Sequence, residues 1–194
     1  VEEGCRILTE KFADLVTSDD GHRSGREILE RLRGRLDQVA ARLDCSLADL
    51  ASTFLAVAVS ADRFVVVHIG DGVIGYIKHG DIRVVSAPDN NEFVNQTTFV
   101  TSANVSASMR LSRGSLEGVT GFIQMSDGTS ASLYDYRAKK LAPACAKLIE
   151  AVGNVRNTQV RNPEYKKRLR RLVDTRLRQA TKDDCSIGIL ARRP

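Results

Sequence analysis

Four apolar runs at residues 53–60, 63–69, 73–78 and 82–86, separated by only two or three residues, commit this chain to antiparallel pairing. A parallel crossover needs a dozen or more residues, and none of these gaps supplies them. The gaps themselves hold turn chemistry: Ala61-Asp62, Asp71-Gly72 and His79-Gly80-Asp81. The stretch therefore reads as a meander of antiparallel hairpins. Residues 97–101 and 119–125 add strands, and 185–191 closes the sheet.

Helical periodicity lies on either side of this core. Val1, Cys5, Leu8, Phe12 and Leu15 recur at helical spacing, as do Ile28, Leu32, Leu36, Val39 and Leu43. Ser24 followed by Glu27 reads as a capping box opening the second helix, and Ser46 with Asp49 starts a short turn. Helical material surrounds Pro143. Asn162-Pro163-Glu164 opens a last helix, whose apolar stripe is Tyr165, Leu169, Leu172, Val173 and Leu177. Helices grouped around an antiparallel core give an α+β class.

At 194 residues the chain is expected to form a single domain, 1–194, a size that buries roughly 70% of the unfolded surface without disulfide staples. Cys5, Cys45, Cys145 and Cys185 have neither zinc-site spacing nor a dense framework, so reduced, mostly buried thiols and a cytoplasmic location are expected. No run of about 18 apolar residues is present, which argues against a membrane-spanning segment. The net charge of +5 is local: residues 156–178 hold nine Lys or Arg against two acidic residues, a local +7, leaving −2 for the rest. With no aromatic interleaving, this basic helix reads as a solvated amphipathic face rather than a nucleic-acid surface.

The chemistry is carried by aspartates at strand ends. Ile69-Gly70-Asp71-Gly72, Met125-Ser126-Asp127-Gly128 and Asp183-Asp184-Cys185-Ser186 each place a carboxylate where a sheet can hold it rigidly. Oxygen donors of this kind suit a hard divalent cation such as Mg²⁺ or Mn²⁺. Asp-Gly is also an ordinary turn dipeptide, so no single occurrence suffices. His68 within a strand and His79 in a turn lack a nucleophile in a triad-like setting and read as structural or solvated.

Taken in order, Ala51-Ser52-Thr53, Ile69-Gly70-Asp71-Gly72, Phe122-Ile123-Gln124-Met125-Ser126-Asp127-Gly128 and Asp183-Asp184-Cys185-Ser186-Ile187 resemble the protein phosphatase 2C family of metal-dependent serine/threonine phosphatases. The stretch from Glu92 to Thr101 and the downstream Leu141-Ala142-Pro143-Ala144 look like a compact bacterial branch of that family. The resemblance implies two antiparallel sheets packed as a sandwich flanked by helix pairs. It implies hydrolysis of phosphoserine and phosphothreonine by a water activated by two Mn²⁺ or Mg²⁺ ions, without a covalent intermediate. By the family's pattern Asp127 and Asp183 are metal ligands and Asp71 helps hold a weaker additional ion. Gly128 and Asp184 are supporting residues. Ala131 stands where the family commonly has an acidic residue of that weaker site. The implied partners are a phosphoprotein substrate and a cognate serine/threonine kinase.

The family's opening strand, ending in a metal-bridging Asp-Gly, has no counterpart before the first helix. The domain is therefore expected to be N-terminally incomplete, and the 194 residues taken alone to bind metal weakly. Asp20-Gly21-His22 looks superficially like that motif, but no apolar run leads into it. Two readings follow: a phosphatase, or an inactive phosphatase-like binding module. An N-terminal nucleophile hydrolase would need Thr, Ser or Cys at its start, where this sequence has Val1.

Overall fold

The computed structural model describes residues 1–88, 97–154, 163–179 and 181–193. They form two compact units: Val1–Asp71 with Asn91–Leu116, and Gly72–Asn90 with Glu117–Pro194. The expected α+β class, with two antiparallel sheets of three and four strands, is the one found.

In the first unit, α1 (Glu2–Thr17) and α2 (Gly21–Leu43) precede β1 (Phe54–Ser60) and β2 (Arg63–Ile69). A short helix α3 (Val105–Ser108) and the strand β5 (Arg110–Ser115) complete it, with sheet order β1-β2-β5. Alternation along β2 sends Val65, Val67 and Ile69 into one core with Ile7, Leu8 and Leu15 of α1 and Ile28, Leu29 and Leu32 of α2. The helical period was legible, but α1 turns a different face inward: Val1 and Cys5 are exposed, and Ile7 is buried in their place. Arg31 of α2 ties the helices together, reaching Glu10 at 2.9 Å and Glu3 at 3.4 Å.

Two expectations fail here. The second helix starts at Gly21 rather than after Ser24, because the Asp20 carboxylate accepts from the Arg23 N–H at 2.9 Å and caps it first. Ser24 lies inside the first turn, its hydroxyl on the Asp20 carbonyl, and Glu27 pairs with Arg23 and Lys11. Nor is 97–101 a strand: Thr97–Phe99 has no regular structure and a turn begins at Val100. The apolar signal there reflects burial of Val100 in the core, held by one hydrogen bond from its N–H to the Ser52 carbonyl. By contrast the short turn after Ser46 is present as a 3₁₀ turn, Leu47–Leu50, closed by a capping box in which Asp49 sits below the usual carboxylate range because Ser46 donates to it.

The meander needs correcting at its middle. β2 pairs with β1 and β5, whereas β3 (Val73–Lys78) pairs with β4 (Asp81–Ser86) and β6 (Val119–Met125). Asp71-Gly72 is therefore a passage from one sheet to the other, not a hairpin turn. Gly70 makes it possible, with φ of +116° and no room for a Cβ, which would meet Thr53 Cγ2 at 2.4 Å.

In the second unit the sheet order is β4-β3-β6-β9, with β9 at Ile187–Ala191. After β6 come α4 (Asp127–Leu133), the two-residue strands β7 (Tyr134–Asp135) and β8 (Lys140–Leu141), α5 (Pro143–Gly153) and α6 (Pro163–Leu172). Pro143 opens α5, where its missing N–H costs nothing. Val73, Ile77, Ile123 and Met125 of the sheet pack with Leu141, Cys145 and Ile149. Of the four cysteines, all free, only Cys145 is buried, and that burial pushes its thiol up to about 11. Cys5 is exposed and Cys45 and Cys185 are half-buried, against the expectation of mostly buried thiols. None of the described helices is long and apolar enough to cross a membrane.

Candidate metal centre

The antiparallel pairing of β6 with β9 brings Met125 opposite Ile187, so the end of one strand and the lead-in to the other run side by side. The ladder goes one step further, with the Ser126 N–H donating to the Ser186 carbonyl at 3.1 Å. Beyond it the Ser126 hydroxyl takes over: it accepts from the Ser186 N–H and donates to the Asp184 carbonyl, both at 3.0 Å. The Ser126 carbonyl meanwhile receives the N–H groups of Thr129 and Ser130, which turns the chain into α4.

This clip sets the two acidic residues face to face. Asp127 is half-buried at the first turn of α4, and Asp183 is exposed on the loop leading to β9. Interaction with the Asp127 side chain, aided by the Asp184 N–H, holds the Asp183 carboxyl below its ordinary range. Asp183 Oδ1 accepts that N–H at 2.7 Å, and the Asp183 N–H donates to Thr181 Oγ1 at 3.1 Å. Gly128 is buried beneath the same loop, where a Cβ would lie 2.6 Å from the Asp184 carbonyl oxygen. Behind α4, Ser130 donates to the Asp127 carbonyl at 3.0 Å and lies 2.6 Å from the Tyr136 hydroxyl.

The donors gathered here are two carboxylates, a serine hydroxyl and main-chain carbonyls. All are oxygen, the donor set that suits a hard divalent cation. Among the described residues no group of three or more His, Cys, Asp or Glu side chains surrounds one point. Two carboxylates with water completing the shell is the manner in which Mg²⁺ is commonly held, so the pair fits such an ion.

The remaining sequence candidates have other surroundings. Asp71 belongs to the first unit, where its Oδ2 accepts from the Thr97 hydroxyl at 2.5 Å. Asp184 contributes main-chain groups. Asp20 is a helix cap in the link between α1 and α2, with no strand leading into it. His68 is fully buried in β2, its Nδ1 3.4 Å from Arg110 of the paired strand, and His79 is exposed in the β3–β4 turn. Residues 92–96 of the bacterial-branch stretch lie outside the described residues.

Ser126 and Ser186 were not singled out from the sequence. A serine directly before Asp-Gly-Thr at a strand end is a helix-cap signal that would have flagged the first. Ser126→Ala removes both bonds of the clip, and we expect a loss of about 1–2 kcal/mol in urea unfolding. A Mn²⁺ affinity weakened roughly tenfold should accompany it, as for loss of a group that orients ligands. Isothermal titration checks the second effect; wild-type affinity would mean the clip does not position the aspartates.

The chain belongs to the protein phosphatase 2C family, whose sequence profile matches residues 1–174; Asp127 lies inside that stretch and Asp183 beyond it. By membership it is a phosphoprotein phosphatase. Among curated proteins none matches the sequence. The fold is similar to that of the serine/threonine phosphatase Stp1 from Staphylococcus aureus, with a TM-score of 0.55 at 16% identity, covering 100% of this chain and 76% of that one. It is likewise similar to the Mycobacterium tuberculosis serine/threonine phosphatase PstP, with a TM-score of 0.53 at 15% identity, covering 100% and 83%. A Caenorhabditis elegans sex-determining protein gives 0.60 at 15% identity, covering 100% of this chain and 51% of that one.

Proposed function

We propose that this protein is a Mn²⁺- or Mg²⁺-dependent phosphatase of phosphoserine and phosphothreonine residues, with Asp127 and Asp183 as metal ligands. The observation that carries the reading is the Ser126 clip that joins the ends of β6 and β9, the strand ends that bear Asp127 and Asp183, in a chain of the protein phosphatase 2C family. A structure of PstP in complex with two manganese ions, similar in fold at a TM-score of 0.51 and 16% identity, supports the choice of metal. When bound, such ions supply an activated water and neutralise charge on the phosphoryl group. The chain's own part is positional: the sheet fixes both strand ends, Ser126 joins them, and Gly128 lets the loop close over α4. Asp71 is proposed for a weaker ion on its sequence motif alone, and Ala131 removes an acidic group from that weaker set. Four free thiols favour a cytoplasmic setting, in which a serine/threonine kinase would generate the substrate.

The test is phosphate release by the full-length protein from phosphoserine and phosphothreonine peptides. Release should require Mn²⁺ or Mg²⁺, vanish in EDTA and return on adding excess Mn²⁺. Turnover undiminished by the chelator would refute the metal-dependent reading.

A further inference from the structure

We infer that the exposed face of α6 is a docking surface for acidic peptide segments, which on the proposed phosphatase reading flank the phosphorylated residue of the substrate. At about 100° per residue, Lys166, Lys167, Arg170 and Arg171 fall within an arc of roughly 140° on this helix. All four are exposed, and among the described residues none has a salt-bridge partner. Two acidic residues share this stretch, against four cations on the arc. Glu164 is in the first turn of α6, and Asp174 already faces Arg178 at 3.7 Å.

The position of the helix gives this charge a use. After Leu172 the chain widens into a π turn, Val173–Leu177, closed by the Arg178 N–H on the Val173 carbonyl at 2.9 Å. That turn packs against α4, and Leu177 is buried in the same cluster as Leu133 of α4 and Cys185. Asp127 is the first residue of α4, and Asp183 follows the helical run within a few residues. The basic helix is thus fastened to both segments that carry the carboxyl pair. From Arg171 to Leu177 is about 9 Å along a helix. An extended peptide covers that in roughly three residues.

Ions held by the carboxyl pair would serve the phosphoryl group itself, so acidic residues flanking it need cations of their own. Cations in excess on one arc of a helix anchored to α4 supply them, because they act together within a Debye length of about 8 Å at physiological salt. Such a surface governs encounter and KM rather than the chemical step, and its contribution falls with salt. Nucleic acid is the less fitting partner, since no aromatic side chains interleave with these cations.

The binding arm uses fluorescein-labelled, unphosphorylated peptides carrying an Asp-rich, a neutral or a Lys-rich run, followed by anisotropy with the full-length protein in EDTA. Hydrolysis plays no part in it, so it stands even if the phosphatase reading fails. We expect the Asp-rich peptide to bind at least about tenfold tighter than the neutral one. The variant Lys166→Gln/Lys167→Gln/Arg170→Gln/Arg171→Gln should lose that preference, with its far-UV circular dichroism unchanged. In the kinetic arm, the variant should raise KM for an Asp-flanked phosphoserine peptide by a similar factor while leaving kcat and p-nitrophenyl phosphate turnover intact. Equal affinity for the three peptides, an unchanged preference in the variant, or tighter binding to a DNA duplex or to anionic vesicles than to the Asp-rich peptide would each overturn the inference.

Discussion

Asp127→Asn should lower Mn²⁺-dependent phosphate release by more than about a hundredfold, since losing a group that merely orients a ligand already costs ten- to a hundredfold. The asparagine amide matches the carboxyl in shape and can still donate a hydrogen bond to Asp183, so the loop has no reason to open. What changes is charge, because one of two anionic donors becomes neutral. Without metal, two carboxyls held within hydrogen-bond reach repel when both are ionised, and the variant should be at least as stable as the wild type. With Mn²⁺ at a hundred times the dissociation constant, the wild type should gain about 2.7 kcal/mol of stability. The variant should gain little. Thermal melts with and without Mn²⁺, run beside the activity assay, separate this outcome from misfolding; wild-type turnover in the variant would remove Asp127 from the metal site.

That pair was legible because each aspartate sits at the end of an apolar run long enough to be read as a strand. The sheet carrying it was equally plain: 73–78 and 119–125 are strands at those bounds. Strand pairing was less so. β5, Arg-Leu-Ser-Arg-Gly-Ser, has one apolar residue in six and is a strand because β2 offers it a ladder. Short gaps suggested that β2 and β3 pair, yet β2 takes β5 instead, a long-range choice that local spacing does not encode. The helix α4 was invisible for a related reason. Seven residues rich in Gly, Ser and Thr have neither periodicity nor propensity, and the turn forms because Ser126 anchors its start.

Gly128→Ala tests whether this local packing, rather than the carboxylates alone, makes the site. An alanine suits the start of a helix and by propensity would favour α4 by up to about 1 kcal/mol. Its Cβ, however, would lie 2.6 Å from the Asp184 carbonyl oxygen and 3.2 Å from the Asp183 carbonyl carbon, both backbone atoms that cannot swing aside. Relief to ordinary contact needs the loop to move by roughly 1 Å. Such a shift strains the 3.0 Å bond from Ser126 to Asp184 and draws Asp183 away from Asp127. Misplacement of that size costs on the order of a hundredfold in rate where reacting groups must be aligned. The expected result is therefore a folded protein, its melting temperature within a few degrees of wild type, with about a hundredfold lower kcat/KM and weakened Mn²⁺ binding. Full activity would show that the loop bearing Asp183 and Asp184 does not close over Gly128. Lost folding without a separable effect on Mn²⁺ affinity would make the glycine a packing residue only. Because Ser126→Ala removes bonds from the same loop while Gly128→Ala inserts an atom beneath it, agreement between the two would trace the loss to the position of Asp183.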